Sequence, residues 1–489
     1  GGHYARIKTS YGRVARKGLL SAAAWRVLQY CFPPRMRKNK MLEILPEKLK
    51  QLAASCPFPL YVVGGTCREY LSSTFPLKPD YDICAPVLPE VFAEHAEAAG
   101  FEKCAVYKNT GTVKIRAGGI EYEFTAFRSD KYVRGVHTPA KIYFTDDIKL
   151  DARRRDFTCN AVYFDIKANE FIDPCGGIED ICRKVMRTVA PAEKVFGEDG
   201  LRLMRLARQC GCTGFVPDEE CMHGAKVNAA LIRDISAERI YVELRDMLHA
   251  DAEYGVKYGQ YHALCILRDT GVLGYILPEL AFGAGMSQRQ DFHFYDVLEH
   301  SLRCVMYAPD DIRFAALLHD VGKPYCKILT GTYHNHEQEG ERIAREILQR
   351  LKAPKKLVEE TARLTALHMY DADGRARESK IRRLIVENRD IFFKLAELRQ
   401  ADYSACRDDL AEAPVITKWR SIYSDMLKEG VPFSLRELKV RGDDLIAAGI
   451  PEAKCGKVLA RLLSECAVLP QLNEKNKLII TAKRVVREV

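Results

Sequence analysis

Two acidic residues at the start of a short strand are the feature that most constrains the fold of this chain. Asp80 and Asp82 lead into an apolar run, and fifteen residues before them lies a glycine pair, Gly64-Gly65, directly after Tyr61–Val63. This pattern predicts a strand, a glycine turn, a short helix and a second strand. Because side chains two residues apart on a strand share a face, the two carboxylates point the same way. They repel each other unless a cation lies between them, and magnesium is the natural cation beside oxygen ligands and phosphate.

An acid pair of this kind also occurs at ordinary solvated strand ends and turns. The glycine pair favours a ligand site over a solvated strand end, because glycine lets the backbone approach a ligand closely and expose its N–H groups. A glycine turn that opens a helix is in addition a binding site for anions. A phosphate-binding turn followed by paired acids therefore favours nucleotidyl transfer.

Composition limits the class of protein. The chain has 489 residues, too many for one hydrophobic core, and 47% of them are hydrophobic, as in ordinary globular proteins. No run approaches eighteen apolar residues, so no membrane partner is expected. The seventeen cysteines are odd in number and form no C-x-x-C pair, which argues against zinc ribbons and disulfide frameworks. We therefore expect a cytoplasmic protein in a reducing compartment.

Residues 1–42 differ from the rest of the chain. They hold ten of its 75 Lys and Arg residues and none of its 66 acidic residues, which leaves the remainder with a net charge of −1. Any RNA contact by the main part of the chain must therefore use local basic patches. The extension is interpreted either as a transit-like segment or as translated upstream sequence, because Met36 and Met41 are both plausible native starts. The second interpretation is favoured, and the fold is expected to begin after residue 42.

A third carboxylate is predicted beside the acid pair. Thr112–Arg116 and Ile120–Phe127 have strand patterns separated by a glycine turn, and Glu123 lies on the polar face of the second strand. If that strand pairs beside Asp80 and Asp82, Glu123 completes a two-metal cluster that activates a hydroxyl and stabilises leaving pyrophosphate. The alternative is a solvent-facing glutamate on an amphipathic strand.

Two arginine-rich segments follow. Arg154, Arg155 and Asn160 precede or interrupt apolar sequence, which places them at a core surface. Forked arginine donors suit a triphosphate there, and an amide suits a ribose hydroxyl. The alternative for this first segment is a solvated charge run.

A helix predicted over the second segment puts three arginines in one row, at Arg202, Arg205 and Arg208. The alternative for this segment is a simple helix ion pair between Glu198 and Arg202.

Together these segments resemble one family. Gly-Gly-x-x-Arg, Asp-x-Asp, Arg-Arg-Asp-Phe-Thr-x-Asn-Ala and Glu-Asp-x-x-Arg-x-x-Arg occur in the order and spacing of the class II tRNA nucleotidyltransferase and poly(A) polymerase family. The resemblance is greatest to bacterial CCA-adding enzymes with an HD domain, and it runs from about residue 44 to the C-terminus. It implies magnesium bound by Asp80 and Asp82, CTP and ATP as substrates, and tRNA as partner.

The resemblance also assigns the nucleotide-binding residues. For the triphosphate, the sugar and the incoming base it implies Gly64, Gly65, Arg68, Arg154, Arg155, Asp156, Asn160, Glu198, Asp199 and Arg202, and the arginine row continues at Arg205 and Arg208. An acidic acceptor paired with an arginine donor matches the exocyclic amines of cytosine and adenine. Uracil and guanine would be left with mismatched polar groups, which is the strong form of discrimination.

Two departures from the family pattern stand out. Glu69 occupies a place where the family usually has Asp, which keeps the charge. In the segment from Tyr132 to Pro139, Arg134 and Val136 stand where family members carry an Asp and then an Arg. That loop helps the family switch from C to A addition, so the second departure bears on full CCA addition.

The helical part of the chain holds a second candidate site. The order of an HD-type metal site is found in His300, His319, Asp320, His336, His368 and Asp402. Imidazole and carboxylate on facing helices suit a divalent transition metal or magnesium. The alternative is a polar helix face. The segment resembles the HD domain of bacterial CCA-adding enzymes, where it is either a phosphohydrolase or vestigial, and a second divalent metal is expected there.

The predicted fold class is α+β, with a small mixed sheet followed by helical domains. The predicted units are the extension (1–42), a nucleotidyltransferase head (43–185), a helical neck for base recognition (186–255), a helical body with the HD domain (256–405) and a helical tail for tRNA (406–489). In the tail, glycines before helix starts suit phosphate-backbone contacts as well as plain helix caps. The sequence assigns no oligomeric state.

The function predicted is template-independent addition of CCA to the 3′ end of tRNA, with pyrophosphate release. The nearest alternative is an A-adding or poly(A) polymerase with the same head. An alternative of another class is an HD-type metal-dependent phosphohydrolase, and a third is a non-catalytic RNA-binding relative. The intact carboxylates argue against the third.

Overall fold

The computed structural model describes residues 40–72, 80–133, 136–288 and 293–487, and for residues 132, 133 and 136–140 it describes the backbone alone. Within those ranges no helix combines the length and apolar character that crossing a lipid bilayer requires. The described residues divide into two compact units, with the boundary between Ile276 and Leu277. The finer division at residues 185, 255 and 405 stays a prediction.

A mixed sheet forms the core of the first unit. Its strands and those of two small ribbons are β1 (Tyr61–Val63), β2 (Asp80–Ala85), β3 (Glu102–Tyr107), β4 (Thr112–Ala117), β5 (Ile120–Ala126), β6 (Arg128–Val133), β7 (Val136–Phe144), β8 (Tyr163–Asp165), β9 (Glu170–Ile172), β10 (Val185–Met186) and β11 (Val216–Pro217). The sheet has the order β3-β4-β5-β2-β1-β8-β9, while β6 pairs with β7 and β10 with β11. Strands β2 and β5 are parallel and the other sheet neighbours are antiparallel. The mixed sheet confirms the prediction.

The helices of the first unit surround this sheet and continue beyond it. They are α1 (Met41–Ile44), α2 (Glu47–Ser55), α3 (Gly65–Ser72), α4 (Pro89–Ala98), α5 (Ile148–Arg153), α6 (Gly177–Arg183), α7 (Ala192–Glu198), α8 (Leu201–Thr213), α9 (Glu219–Asn228), α10 (Ala237–Leu248), α11 (Ala250–Tyr254), α12 (Gly259–Asp269) and α13 (Leu273–Ile276). Short 3-10 turns cover Thr158–Asn160 and Ala229–Asp234.

Alternation along β2 and β5 separates an apolar face from an acidic face. Tyr81 and Tyr122 are buried and stack on each other, with ring centroids 5.6 Å apart. Phe92 of α4 stacks on buried Phe124, with centroids 3.7 Å apart. Because aromatic packing fixes α4 on this face, the acidic residues of both strands are left on the opposite face.

The described residues of the second unit form helices and loops, with no strand among them. Its helices are α14 (Pro278–Ala281), α15 (Val297–Tyr307), α16 (Arg313–Leu318), α17 (Gly322–Thr330), α18 (His336–Arg350), α19 (Lys355–Leu367), α20 (Glu378–Glu387), α21 (Phe392–Arg407), α22 (Pro414–Lys428), α23 (Gly442–Ala447), α24 (Glu452–Val468) and α25 (Lys475–Val485). His319 and Asp320 directly follow α16, as the apolar run before them predicts.

Two sequence predictions fall on residues that the structure does not describe. The basic extension lies outside the described residues up to position 39. Arg134 of the altered loop is also outside them, and the side chain of Val136 is not described. The predicted effect of this loop on specificity therefore stays a prediction.

Candidate active site

The glycine turn after β1 brings the backbone against the acid pair. Gly64 has φ of +78°, and a Cβ built on it would lie 2.8 Å from Oδ2 of Asp82. A side chain at this position would therefore be strained and would also collide with the carboxylate. The hydroxyl of Thr66 donates to the carbonyl oxygen of Asp80 over 3.0 Å, which ties α3 to the start of β2.

The acids of β2 and β5 share one face of the sheet. Asp82 is in register with Val63 of β1 on one side and with Glu123 of β5 on the other. The Asp82 carboxylate is accessible from the cavity beside it but is surrounded by protein atoms. Burial of the carboxylate among protein atoms raises the pKa of Asp82 to about 6, and the charges of Asp80 and Glu123 make smaller contributions in the same direction. Arg155 opposes the rise. A divalent cation would relieve the repulsion among these groups.

A cavity of about 600 Å³ opens beside the acid pair. Asp80, Asp82 and every predicted nucleotide-binding residue except Glu198 line it. Glu123 is not among the lining residues; its carboxylate is paired with Lys114 at 3.1 Å. Eight arginines line the cavity. Such a concentration of guanidinium groups beside paired acids suits a polyanionic ligand that arrives with metal ions.

Asp151, which the sequence analysis missed, positions two of these arginines. Its side chain is fully buried and accepts hydrogen bonds from Arg154 Nε (2.7 Å), Arg155 Nη2 (3.1 Å) and the Tyr163 hydroxyl (2.7 Å). The neighbouring guanidinium groups hold the pKa of Asp151 below its usual range despite burial. The alternative of a solvated charge run does not apply to Arg154 and Arg155, because a buried acid fixes both at the cavity wall.

A second buried network joins the arginine-rich segments. Asp156 accepts hydrogen bonds from Arg205 Nη2 (2.6 Å) and Asn160 Nδ2 (3.0 Å). Asn160 also donates to Gln209 Oε1 over 2.8 Å and accepts from Arg68. The ion pair with Arg205 lowers the pKa of Asp156 against the effect of burial. The carboxylate is therefore charged at neutral pH, and the amide of Asn160 has a fixed orientation.

The residues assigned to base reading have different partners. Glu198 pairs with Arg202 at 3.1 Å, and Arg202 also donates to the carbonyl oxygens of Val195 (2.9 Å) and Arg154 (2.7 Å). Asp199 accepts from the Leu201 backbone N–H over 3.0 Å and lies 3.8 Å from Arg239. The end of α7 and the start of α8 therefore present both a buried guanidinium and an acid at the cavity.

Several residues that line the cavity belong to none of the sequence motifs. They are Glu69, Arg128, Asp130, Gln209, Arg239 and Tyr254. Of these, Gln209 has a sequence signal, since it lies one turn beyond Arg205 on the same helix. Arg208, the last of the predicted arginine row, pairs with Glu243 of α10 at 2.7 Å.

The six predicted HD residues come together as two groups that share Asp320. Its Oδ2 lies 3.2 Å from Nε2 of His319 and 3.5 Å from Nε2 of His300. Its Oδ1 lies 3.3 Å from Nε2 of His336 and 3.5 Å from Nε2 of His368. Asp402 joins the first group, with Oδ1 3.0 Å from His300 Nε2. The two oxygens of one carboxylate thus face two separate pairs of imidazoles.

The hydrogen bonds of the rings leave nitrogen lone pairs available for a cation in the second group. His336 Nδ1 lies 2.8 Å from the Tyr333 carbonyl oxygen, and His368 Nδ1 lies 2.6 Å from that of Thr365. Burial lowers the pKa of His368 to about 4, so its ring is neutral near pH 7. With the proton assigned to Nδ1, its Nε2 lone pair points at Asp320 Oδ1, a buried atom without a hydrogen-bond partner among the described residues. These donors fit a divalent metal.

Three family models match the chain. The poly A polymerase head domain matches residues 60–187, and the probable RNA and SrmB-binding site of polymerase A matches residues 214–282. The HD domain matches residues 293–402, a range that contains every residue of the two groups around Asp320.

Known proteins are similar along much of the chain. An A-adding tRNA nucleotidyltransferase of Deinococcus radiodurans is 30% identical over 374 residues, which cover 72% of this chain and 78% of that protein. A CCA-adding enzyme of Geobacillus stearothermophilus is 36% identical over 225 residues, covering 46% of this chain and 52% of that enzyme. The chain thus spans about half the length of the CCA-adding relative that it matches.

Solved structures share the fold. The Bacillus stearothermophilus CCA-adding enzyme in complex with CTP superposes with a TM-score of 0.62 at 25% identity, over 93% of this chain and 98% of that one. A tRNA nucleotidyltransferase complexed with a primer tRNA and an incoming ATP analog superposes with a TM-score of 0.52 at 20% identity, over 78% and 100% of the two chains. Both agree with the predicted α+β head and helical remainder.

Proposed function

Because the chain belongs to the tRNA nucleotidyltransferase and poly(A) polymerase family, we propose that it adds CCA to the 3′ end of tRNA from CTP and ATP without a template. One observation carries the proposal. Asp80 and Asp82 share one face of a strand at the wall of an arginine-lined cavity, and the bare backbone of Gly64 lies against Asp82. Paired acids beside a phosphate-sized anion site are what nucleotidyl transfer requires.

Magnesium is the proposed cofactor, with Asp80 and Asp82 as its ligands and Glu123 beside them. The raised pKa of Asp82 and the oxygen-only donor set support a hard divalent cation here. When bound, magnesium would lower the charge barrier to attack by the tRNA 3′ hydroxyl on the α-phosphate and to departure of pyrophosphate. The carboxylates keep that chemistry on one face of the sheet.

The proposed triphosphate site uses both backbone and arginine donors. Gly64 and Gly65 open α3, whose N-terminal N–H groups favour an anion. Arg154 and Arg155 are held at the wall by Asp151, and Arg68 reaches the cavity from α3. Positioning by fixed guanidinium groups supplies much of the catalysis in phosphoryl transfer, because little covalent chemistry is left to the protein.

The proposed sugar and base sites lie at the end of the cavity formed by α8. Asp156 and Asn160 would bind the ribose, and Arg205 fixes the orientation of Asp156. Glu198, Asp199 and Arg202 would read the base, and Arg208 lines the same cavity further along α8. An acid acceptor and a guanidinium donor match cytosine and adenine, and a wrong base would leave a buried polar group unpaired at a cost of about 1–3 kcal/mol.

Transfer RNA is the proposed partner, bound through the helical tail. The relative solved with a primer tRNA shares the fold. The cytoplasm is the proposed location, which is supported by the free state of every described cysteine.

The transferase proposal is tested by measuring the release of pyrophosphate from CTP with and without added tRNA. The release should depend on the tRNA. It should be lost in Asp82→Ala and retained in Asp146→Ala, an exposed acid outside the cavity. Release without tRNA, or in Asp82→Ala, would contradict the proposal.

A-only addition is the alternative that a specific observation favours. The Deinococcus radiodurans relative, which aligns over 374 residues, is an A-adding tRNA nucleotidyltransferase. In addition, Arg134 and Val136 depart from the family pattern. An A-adding enzyme would extend only tRNA that already ends in CC. The full CCA proposal requires incorporation of CTP on tRNA that lacks all three terminal nucleotides.

The HD residues support a second candidate function, metal-dependent phosphohydrolysis. Both oxygens of Asp320 face imidazoles, so the geometry could hold two cations bridged by one carboxylate, as in two-metal hydrolases. Lys323 Nζ, 2.7 Å from Asp320 Oδ2, adds a cation that could bind a phosphoryl oxygen. Hydrolysis of p-nitrophenyl phosphate with added metal should be lost in His319→Ala and kept in Asp82→Ala. The opposite pattern would assign hydrolysis to the head instead.

A further inference from the structure

A hydrogen-bonded chain joins Arg68 and Glu69 of α3 to Tyr254 at the end of α11. Arg68 Nη2 donates to the Tyr254 hydroxyl over 3.2 Å. The hydroxyl in turn donates to Oε1 of Glu69 over 2.5 Å. Burial and the bond to Glu69 raise the pKa of Tyr254 well above its usual range, so the hydroxyl keeps its proton at any physiological pH. The tyrosine is therefore a fixed relay between a cation and an anion.

Close helix packing fixes the position of Tyr254. A Cβ built on Gly211 of α8 would lie 2.5 Å from the carbonyl oxygen of Gly259 and 3.2 Å from Cβ of Ala250. A Cβ built on Gly259 would lie 2.3 Å from the carbonyl oxygen of Gly211. Helix α12 is thus held against α8 by contacts that only glycine permits, and Ala250 of the short helix α11 packs on the same glycine of α8. This packing places Tyr254, the last residue of α11, at the cavity.

Arg68 keeps N–H donors for a ligand. Its side chain is buried, with 7% exposed, and it lines the cavity beside Gly64 and Gly65. Nη1 donates to Asn160 and Nη2 to Tyr254. The buried Nε–H has no hydrogen-bond partner among the described residues. The two named bonds use two of the five guanidinium N–H groups, so a phosphate oxygen in the cavity has donors of matching chemistry left to accept from.

We propose that Tyr254 is a positioning residue for the triphosphate, which it affects through Arg68 and Glu69. The inference rests on the proposed transferase function. The hydroxyl accepts from Nη2 of Arg68 and thereby sets the orientation of the guanidinium group at the cavity wall. Glu69, where the resembling family usually has the shorter Asp, supplies the acceptor for Tyr254. Tyr254 thus supports the proposed phosphate site although it lies 185 positions after Glu69 in the chain.

The test is Tyr254→Phe, which removes the hydroxyl and leaves the ring. KM for CTP and KM for ATP should both rise about tenfold, the size of one charged hydrogen bond, while kcat changes less than threefold. The two nucleotides should respond equally, because Arg68 faces phosphate and not the base. Tyr275→Phe is the matched control, since its ring lies over Arg233 and it does not line the cavity. It should leave both KM values unchanged.

A double-mutant cycle separates positioning from general weakening. If Tyr254 acts through Glu69, then Glu69→Asp should raise KM as well, and adding Tyr254→Phe to it should cost little more. Multiplying effects, an unchanged KM, or a fall in kcat alone would each overturn the proposal. Melting temperatures of all variants show whether any of them loses its fold. If the parent chain releases no pyrophosphate from CTP and tRNA, the proposed function fails; a changed KM in an active parent tests Tyr254 alone.

Discussion

Asp82 lies in register with Glu123 across the parallel pairing of β2 and β5, so the two carboxylates project from the same face of the sheet. Glu123 is half exposed and paired with Lys114, whereas Asp82 borders the cavity. The charge of Glu123 contributes to the raised pKa of Asp82. This relationship allows Glu123 either to bind a metal directly or to tune the carboxylate that does.

Substitution of Glu123 should therefore affect the transfer step. We expect Glu123→Gln to lower kcat by about 10–100-fold, the usual cost of losing a group that supports a metal ligand. Glu121→Gln is the matched control, because Glu121 is on the same strand and face but is exposed and paired with Arg116. It should change kcat less than threefold. Equal effects of the two variants would show that Glu123 has no special role.

The glycine turn gives a second prediction. Gly64→Ala should lower kcat/KM for CTP at least tenfold, because the new methyl group would meet Asp82 Oδ2. Gly100→Ala is the control, since Gly100 has nearly the same backbone strain at φ of +80° but nothing within 4 Å of a Cβ. Each variant should lose about 1–2 kcal/mol of stability for a left-handed residue, with any further loss from the collision confined to Gly64→Ala, and only Gly64→Ala should lose activity. Similar activity in both would exclude a role for the close approach.

The raised pKa of Asp82 predicts a pH-dependent change in stability. The carboxyl has a pKa of about 6 when folded, above the usual value of about 3.9 when unfolded, so its ionisation opposes folding above pH 6. In EDTA, Asp82→Asn should raise the melting temperature at pH 7.5, and the gain should disappear as the pH falls towards 4. Asp146→Asn should show no such trend. A gain that is constant with pH would contradict this origin.

The HD residues predict a metal stoichiometry. The purified parent, with the head site blocked by Asp80→Ala and Asp82→Ala, should bind two equivalents of a transition metal such as manganese or nickel by elemental analysis. His368→Ala should retain about one equivalent, because it removes a ligand from only one group around Asp320. His334→Ala, an exposed neighbour, should retain both. One equivalent in the parent would restrict the site to a single cation.

Much of the head could be predicted from local sequence. The two-residue period of a strand predicts that Asp80 and Asp82 share a face and that β5 has a polar face. The glycine turn follows from the freedom of glycine to adopt positive φ. The helix positions of the HD residues are local as well, since His300 and Asp402 lie within α15 and α21 and His336 begins α18. Such features depend on neighbours close in sequence.

The residues that position the site through contacts distant in sequence could not be predicted in the same way. Asp151 looks like an ordinary helix acid, yet it is buried under Arg154 and Arg155. Tyr254 comes to Glu69 from 185 residues away. Both depend on how α5 and α11 pack, which no short pattern encodes. The Glu198–Arg202 pair shows the converse, because a local ion pair does form at a place assigned to base reading.

The most direct test of the account is incorporation of labelled nucleotides by the full chain on a tRNA that lacks its terminal CCA. CTP alone should extend the tRNA by two nucleotides, and CTP with ATP should extend it by three. ATP alone should add nothing at low nucleotide concentration. Failure to incorporate CTP, together with addition of A to a tRNA already ending in CC, would contradict CCA addition and identify an A-adding enzyme.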